Sequence, residues 1–155
     1  LGIGRVKFVE TASGVYNAFV GFANAVAANT LVDDGGGMRA SGSIAAIYKV
    51  DTETVWRCVT RNNGVVTVTQ STTTAGGTSY QVLEIEVVSF TSTQVKVLFR
   101  CNGIPLKDSY GKEIVHTITT ASATEMQFGC GAKLGAGTNN DTLSVDYLGA
   151  WQARA

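Results

Sequence analysis

The 155-residue chain has few of the residues that usually carry chemistry or bind polyanions. It has one His, one Pro and three Cys, and only 15% of its residues are charged, 12 basic balanced by 12 acidic. Zero formal net charge removes the basic excess on which phosphate affinity rests, so nucleic acid is not expected as a partner. No run of about eighteen apolar residues occurs, so no membrane-spanning helix or membrane insertion is expected. Scarce charge beside 45% hydrophobic residues also argues against disorder, which combines high net charge with little apolar content. No basic stretch followed by an apolar one marks a signal peptide. What remains is a neutral chain rich in Gly and Thr, of a length that fits one domain with a sizeable core.

Three cysteines cannot complete a disulfide framework. Each follows a hydrophobic residue two positions back: Trp56 before Cys58, Phe99 before Cys101, Phe128 before Cys130. Residues two apart share a face of a strand, so all three are expected as buried, reduced thiols, which suits assembly in a cytosol. A Cys/His metal site needs ligand pairs at short spacing, and His116 stands alone.

Alternation with period two runs through the chain. Ser79 to Phe90 places Leu83, Ile85 and Val87 on one face and Glu84 and Glu86 on the other. Thr93 to Cys101 places Val95, Val97, Phe99 and Cys101 inward, with Lys96 and Arg100 outward, and Asn102-Gly103 supplies a turn with positive φ. Strands are also expected over Arg5–Glu10, Val15–Phe22, Gly42–Val50, Glu53–Arg61, Val65–Gln70, Ile114–Ile118, Thr124–Lys133 and Asp141–Gln152. In the last of these, Leu143, Val145, Tyr147 and Trp151 are assigned one face and Ser144 and Asp146 the other. Asn62-Asn63-Gly64 reads as a hairpin turn, while Asp33–Gly37 and Thr72–Gly77 read as loops. The one candidate helix is Asn24–Asn29, which lacks a capping box. About ten short strands without a linker or repeat imply a single all-β domain over residues 1–155, built as a two-sheet antiparallel sandwich or a barrel, with room for short terminal arms.

The order of features from Val82 to Ala150 resembles a known family. An apolar-acidic strand, Leu83-Glu84-Ile85-Glu86-Val87, leads to Val97-Leu98-Phe99-Arg100-Cys101 and the Asn102-Gly103 turn. An arm with Pro105 and Leu106 follows, then a Met-x-Phe strand ending at Lys133, a Gly/Thr/Asn loop over Gly135–Thr142, and a closing strand with Val145-Asp146-Tyr147. Gly21-Phe22, Met38-Arg39 and Trp56-Arg57-Cys58-Val59-Thr60 fit the first half. The pattern resembles the concanavalin A-like lectin/glucanase (laminin G-like) jelly roll, in the form found as an accessory domain of tailed-bacteriophage virion proteins. The resemblance implies a jelly-roll β-sandwich and a place in a virion.

Glu84 and Glu86 are the sharpest enzymatic candidates, since glycosidases use paired carboxylates and two residues apart on a strand share a face. Laminarinase-type glucanases of this fold carry a strand that looks like Glu-x-Asp-x-x-Glu. Glu84 matches the first position, Glu86 replaces the Asp, and Ser89 stands where the acid/base Glu belongs. The expectation is therefore a polar strand face, with the glutamates pairing to Lys96 or Arg100 on the next strand, and no catalytic residues. Asp33-Asp34 and Asn139-Asn140-Asp141 offer oxygen ligands, but calcium takes six to eight, and Asp-Gly turns form without metal. No metal or cofactor is expected. His116 lacks a triad pattern and reads as a surface or interface residue.

Tyr16, Tyr48, Tyr80 and Tyr110 are not placed by alternation. An exposed Tyr beside Asn-rich loops can stack on a sugar ring, which makes Tyr110, Asn139 and Asn140 the glycan-binding candidates. Two functions follow as expectations. The first is a non-enzymatic virion structural protein: a capsid decoration (cement) protein or a head or tail fibre module, assembled in the host cytoplasm. It would be a homo-oligomer, with a trimer expected, in contact with the major capsid protein or with tail and fibre proteins. The second is a lectin-like module that recognises a host-surface glycan at the tip of a tail or fibre.

Overall fold

The computed structural model describes residues 1–10, 15–32, 36–62, 64–91, 93–119, 125–135 and 141–151. Its strands, in chain order, are β1 (Gly2–Val9), β2 (Tyr16–Ala23), β3 (Ile44–Lys49), β4 (Val55–Asn62), β5 (Val65–Thr74), β6 (Gln81–Phe90), β7 (Gln94–Cys101), β8 (Ile104–Pro105), β9 (Val115–Thr119), β10 (Gln127–Leu134) and β11 (Thr142–Ala150). They form two antiparallel sheets. One runs β11-β1-β6-β7-β8, with β9 also paired to β7, and the other runs β10-β2-β3-β4-β5. The fold is the all-β, two-sheet sandwich expected from the alternation, and its crossings between sheets are consistent with a jelly roll.

Alternating residues of the two inner faces meet in the main core, where Val6, Val20, Ile47, Trp56, Leu83, Ile85, Val97 and Phe99 are fully buried. Burying a side chain of this size contributes about 1.5–3 kcal/mol. Cys58 and Cys101 lie in the same cluster and Cys130 is half-buried against it, all three as free thiols. Burial pushes the Cys58 thiol well above its ordinary range. Burial, aided by the Glu84 carboxylate, raises Cys101 to about 11.

The central strands β2 and β3 are buried on both faces. The outer face of the five-stranded sheet carries Phe19, Ala23, Ile44, Ala46, Tyr48 and Val59, and the chain between β2 and β3 folds back over it with Leu31 and Met38. Leu31 and Met38 bridge each other as an antiparallel pair. The helix expected over Asn24–Asn29 is absent; only a single 3-10 turn forms, at Ala28–Thr30, where Thr30 Oγ1 accepts the Ala27 N–H at 2.9 Å. Ala27, at the N-cap, has no side-chain acceptor to start a longer helix, and the segment is shaped by the surface it covers. Asn24 Oδ1 holds the end of this cover by accepting from Arg39 Nη2 (2.7 Å) and the Ser43 N–H (3.2 Å). Gly42 faces that oxygen at φ +83°, where any Cβ would collide with it.

Two further expectations are corrected. Thr72–Thr74 belong to β5 rather than to a loop, because Thr74 pairs with Val55 beyond a bulge. In β11 a bulge lies opposite the Arg5/Val6 step, so Val145 pairs with Val6 but Tyr147 pairs with Arg5. The extra residue, Asp146, reverses the parity. Tyr147 and Trp151 therefore turn to the outer face, Leu148 turns inward against Gly4, and Val145, Tyr147 and Trp151 all remain substantially exposed.

Candidate functional site

The glutamates on β6 are engaged in structural contacts. Glu84 Oε1 accepts the Gly103 N–H at 3.0 Å, and Asn102 Oδ1 accepts the Val82 N–H at 2.8 Å, so the two side chains clamp the positive-φ Asn102-Gly103 turn. Glu86 pairs with Arg100 at 3.0 Å across the strand boundary. The surface of this sheet also carries the Arg5–Asp146 ion pair, and Arg5 and Lys7 lie over the Tyr80 ring at 4.5 and 5.4 Å.

Tyr110 is the most exposed large hydrophobic residue among the described residues, at 93%. It sits at the tip of an arm that leaves β8 and returns to β9. Leu106 and Ile114 root the arm in the main core, and the Ile114 N–H donates to Leu106 O at 2.8 Å. Lys107 and Glu113 bridge its base, and Asp108 closes the tip. Asp108 Oδ1 accepts the N–H groups of Tyr110 (2.9 Å) and Lys112 (3.0 Å), and Gly111 donates to Asp108 O at 3.0 Å. The turn is local Asx chemistry, which fixes the backbone and leaves the phenol in water. Lys107 O accepts the Thr72 N–H at 3.0 Å and so ties the arm to β5.

Between this arm, β5 and the turn before β4 lies an open cleft of about 760 Å³. Its walls include Thr54, Thr69, Gln70, Thr72, Asp108 and Tyr110. Glu53, also in the wall, is held by a bidentate contact from the Arg57 guanidinium, which raises the Arg57 pKa. The cleft therefore offers hydroxyls, one amide, two valines, an aromatic ring and two carboxylates, Glu53 held by Arg57 and Asp108 shared with its own turn. That set suits a polyhydroxylated ligand better than a reacting carbonyl, since no nucleophile is paired with a base there.

The other glycan candidates, Asn139 and Asn140, lie outside the described residues, as do Asp33 and Asp34. Among the described residues no group of three or more His, Cys, Asp or Glu is arranged to hold a metal. Of the remaining tyrosines, Tyr16 stacks on Phe8 at 5.0 Å and Tyr48 is buried, with both hydroxyl pKa values raised by burial.

His116 is not on the surface. It is 3% exposed and lies edge-on to Phe99. Its Nδ1 is 3.1 Å from Thr60 Oγ1 and its Nε2 is 3.0 Å from Thr69 Oγ1. A neutral imidazole donates at one nitrogen and accepts at the other, and each hydroxyl can do either, so both bonds are satisfied without charge. The imidazole thereby joins β9 of one sheet to β4 and β5 of the other, and burial lowers its pKa to about 4. Alternation placed His116 beside Val115 but could not say which of the two pointed inward.

A second buried polar feature went unnoticed in the sequence. Lys49 is fully buried, with its Nζ 2.6 Å from Glu10 Oε1, 2.9 Å from Tyr16 O and 3.2 Å from Val50 O. The signal was available, because Lys49 follows Ala45 and Ile47 at steps of two and shares their inward parity.

No family model matches the chain, and no curated protein or solved structure matches it.

Proposed function

We propose that the chain is a non-enzymatic structural module of a bacteriophage particle, acting as a capsid decoration protein or as part of a head or tail fibre. It assembles in the host cytoplasm as a homo-oligomer, with three copies at a three-fold position, against the major capsid protein or tail and fibre proteins. The observation that carries the reading is the use of its charges. Glu84 clamps a turn, and Glu86, Glu53, Glu10 and Asp146 each pair with a basic side chain that fixes strands or turns. Charge spent on rigidity, beneath a surface of Thr, Ser, Asn and Gly, suits permanent assembly by many small repeated contacts. The resemblance of residues 82–150 to phage jelly rolls supports the same assignment. Peptide mapping of purified virions tests it: the chain is expected in stoichiometric amounts, and its absence from particles overturns the assignment.

A second reading is favoured by one specific observation, the exposed Tyr110 ring above a cleft lined with hydroxyls. In that reading the chain is a lectin-like module that binds a host-surface glycan. A glycan array probed with the native protein and with Y110A tests it. Binding that the substitution abolishes supports it, and a blank array for the native protein rejects it.

A further inference from the structure

Among the described residues five strands lie at sheet margins, and four carry features that discourage further pairing. β11 is broken by the Asp146 bulge, β8 has two residues including Pro105, and β9 has five residues. β10 contains Gly129, Gly131 and Lys133. Bulges, brevity, Pro and Lys are the usual guards of a sheet edge, and glycine weakens a strand interior. β5 differs from the rest. Its ten residues, Val-Val-Thr-Val-Thr-Gln-Ser-Thr-Thr-Thr, include no charge, no Pro and no Gly. Val65, Val66 and Val68 are 74%, 46% and 44% exposed. One margin of β5 pairs with β4 in regular register from Val65 to Gln70. Along the other, among the described residues, the arm from Lys107 bonds the strand's backbone at Thr72 alone. That leaves a β-branched, uncharged edge whose backbone groups call for another strand.

We propose that this edge pairs antiparallel, about a two-fold axis, with the same edge of a second copy of the chain. The residue order favours a second copy over an unrelated strand, because it is self-complementary about Val68. Centred there, the register sets Val68 opposite its own counterpart, Thr67 opposite Thr69 and Val66 opposite Gln70. No charge is opposed, and at the central Val68–Val68 and Thr67–Thr69 pairs β-branched residues meet one another, as in stabilising cross-strand pairs. A two-fold contact needs such a self-complementary patch. Two five-stranded sheets then run on as one sheet of ten. The inference deepens the homo-oligomeric part of the proposed function and rests on it for the identity of the partner. It assigns a pairwise contact that can link neighbouring three-fold clusters. Two strand edges alone bury less than the roughly 1,200 Å² of a lasting interface. The pair is therefore weak in dilute solution and strengthened where copies are held close on a particle.

Sedimentation equilibrium from about 1 μM to about 1 mM tests the contact, with pairing of the smallest species, single chain or three-fold cluster, expected within that range. V68K and V68E each place like charges opposite one another, so each alone sediments only as the smallest native species, single chain or three-fold cluster, and an equimolar mixture recovers the pairing. If the charged variants fail to fold, V68C replaces them: opposed residues bring the two thiols within reach, and a disulfide-linked dimer forms on mild oxidation. The proposal is overturned by a native protein whose mass does not rise with concentration up to about 1 mM. It is equally overturned by V68K and V68E proteins that associate as far as the native one does, by folded variants whose mixture does not associate further, or by V68C that does not cross-link. Persistent oligomers would leave assembly through another surface standing, whereas absence from virions would remove the phage assignment without touching the pairing.

Discussion

The buried imidazole of His116 makes stability depend on pH in a calculable way. In the unfolded chain a histidine titrates near 6.5, while in the fold burial lowers His116 to about 4. Above pH 6.5 it is neutral in both states and its contribution is complete. As the pH falls from 6.5 towards 4, the unfolded chain takes up the proton and the folded one does not, so stability is lost across that window. At about 1.4 kcal/mol per pH unit, the full interval is worth about 3 kcal/mol. For a domain of this size that corresponds to a fall in Tm of roughly 10 °C. Urea unfolding followed by tryptophan fluorescence, at steps from about pH 7 to about pH 4.5, measures it. Carboxylates titrate at the acid end of this range, so the diagnostic quantity is the difference from H116Q. Glutamine keeps a donor and an acceptor for Thr60 and Thr69 but has no proton to take up. The native protein should lose more stability than H116Q between about pH 6.5 and pH 4.5, by about 2 kcal/mol or more. Parallel pH profiles for the two proteins would refute a buried neutral imidazole.

Other perturbations give distinct outcomes. E10Q removes the counter-charge from the fully buried Lys49 ammonium and should destabilise by about 3 kcal/mol in denaturant melts at pH 7; a loss below about 1 kcal/mol would mean the ion pair is dispensable. G42A introduces a Cβ against Asn24 Oδ1 at a left-handed φ, and calorimetry should show a loss of at least about 1 kcal/mol. Y110A removes a side chain standing in water, so its stability should match the native protein within about 0.5 kcal/mol, which leaves any loss of glycan binding attributable to the ring. Alkylation read by mass spectrometry should modify the half-buried Cys130 first and reach Cys58 and Cys101 only on unfolding; early labelling of Cys58 would contradict its burial.

Much of the architecture was legible because alternation is a local property with a period of two. Leu83 and Ile85 fall inward on β6, and Val97, Phe99 and Cys101 on β7, as the pattern required. The Asn102-Gly103 turn follows from residues that tolerate positive φ. Parity fails where a single residue is inserted, since one bulge inverts everything beyond it: hence Tyr147 and Trp151 on the outer face of β11. Length fails where pairing is non-local, as at Thr72–Thr74, whose partners come from β4 and the 107–113 arm. Of the candidate site, Tyr110 was visible as an aromatic outside any alternating strand, but the cleft beneath it was not. Its walls come from three segments far apart in sequence.

By itself, the amino-acid order determined an all-β chain with its apolar residues on alternating strand faces and its charges balanced, because each of these follows from composition or from neighbours two residues apart. Only the tertiary structure decided that β2 and β3, at the centre of the five-stranded sheet, are covered on both faces, that Lys49 and His116 are buried with specific partners, and that β5 is an open edge among the described residues. Those outcomes depend on which strands meet across the sandwich, and that is settled by long-range packing of surfaces that no local window contains.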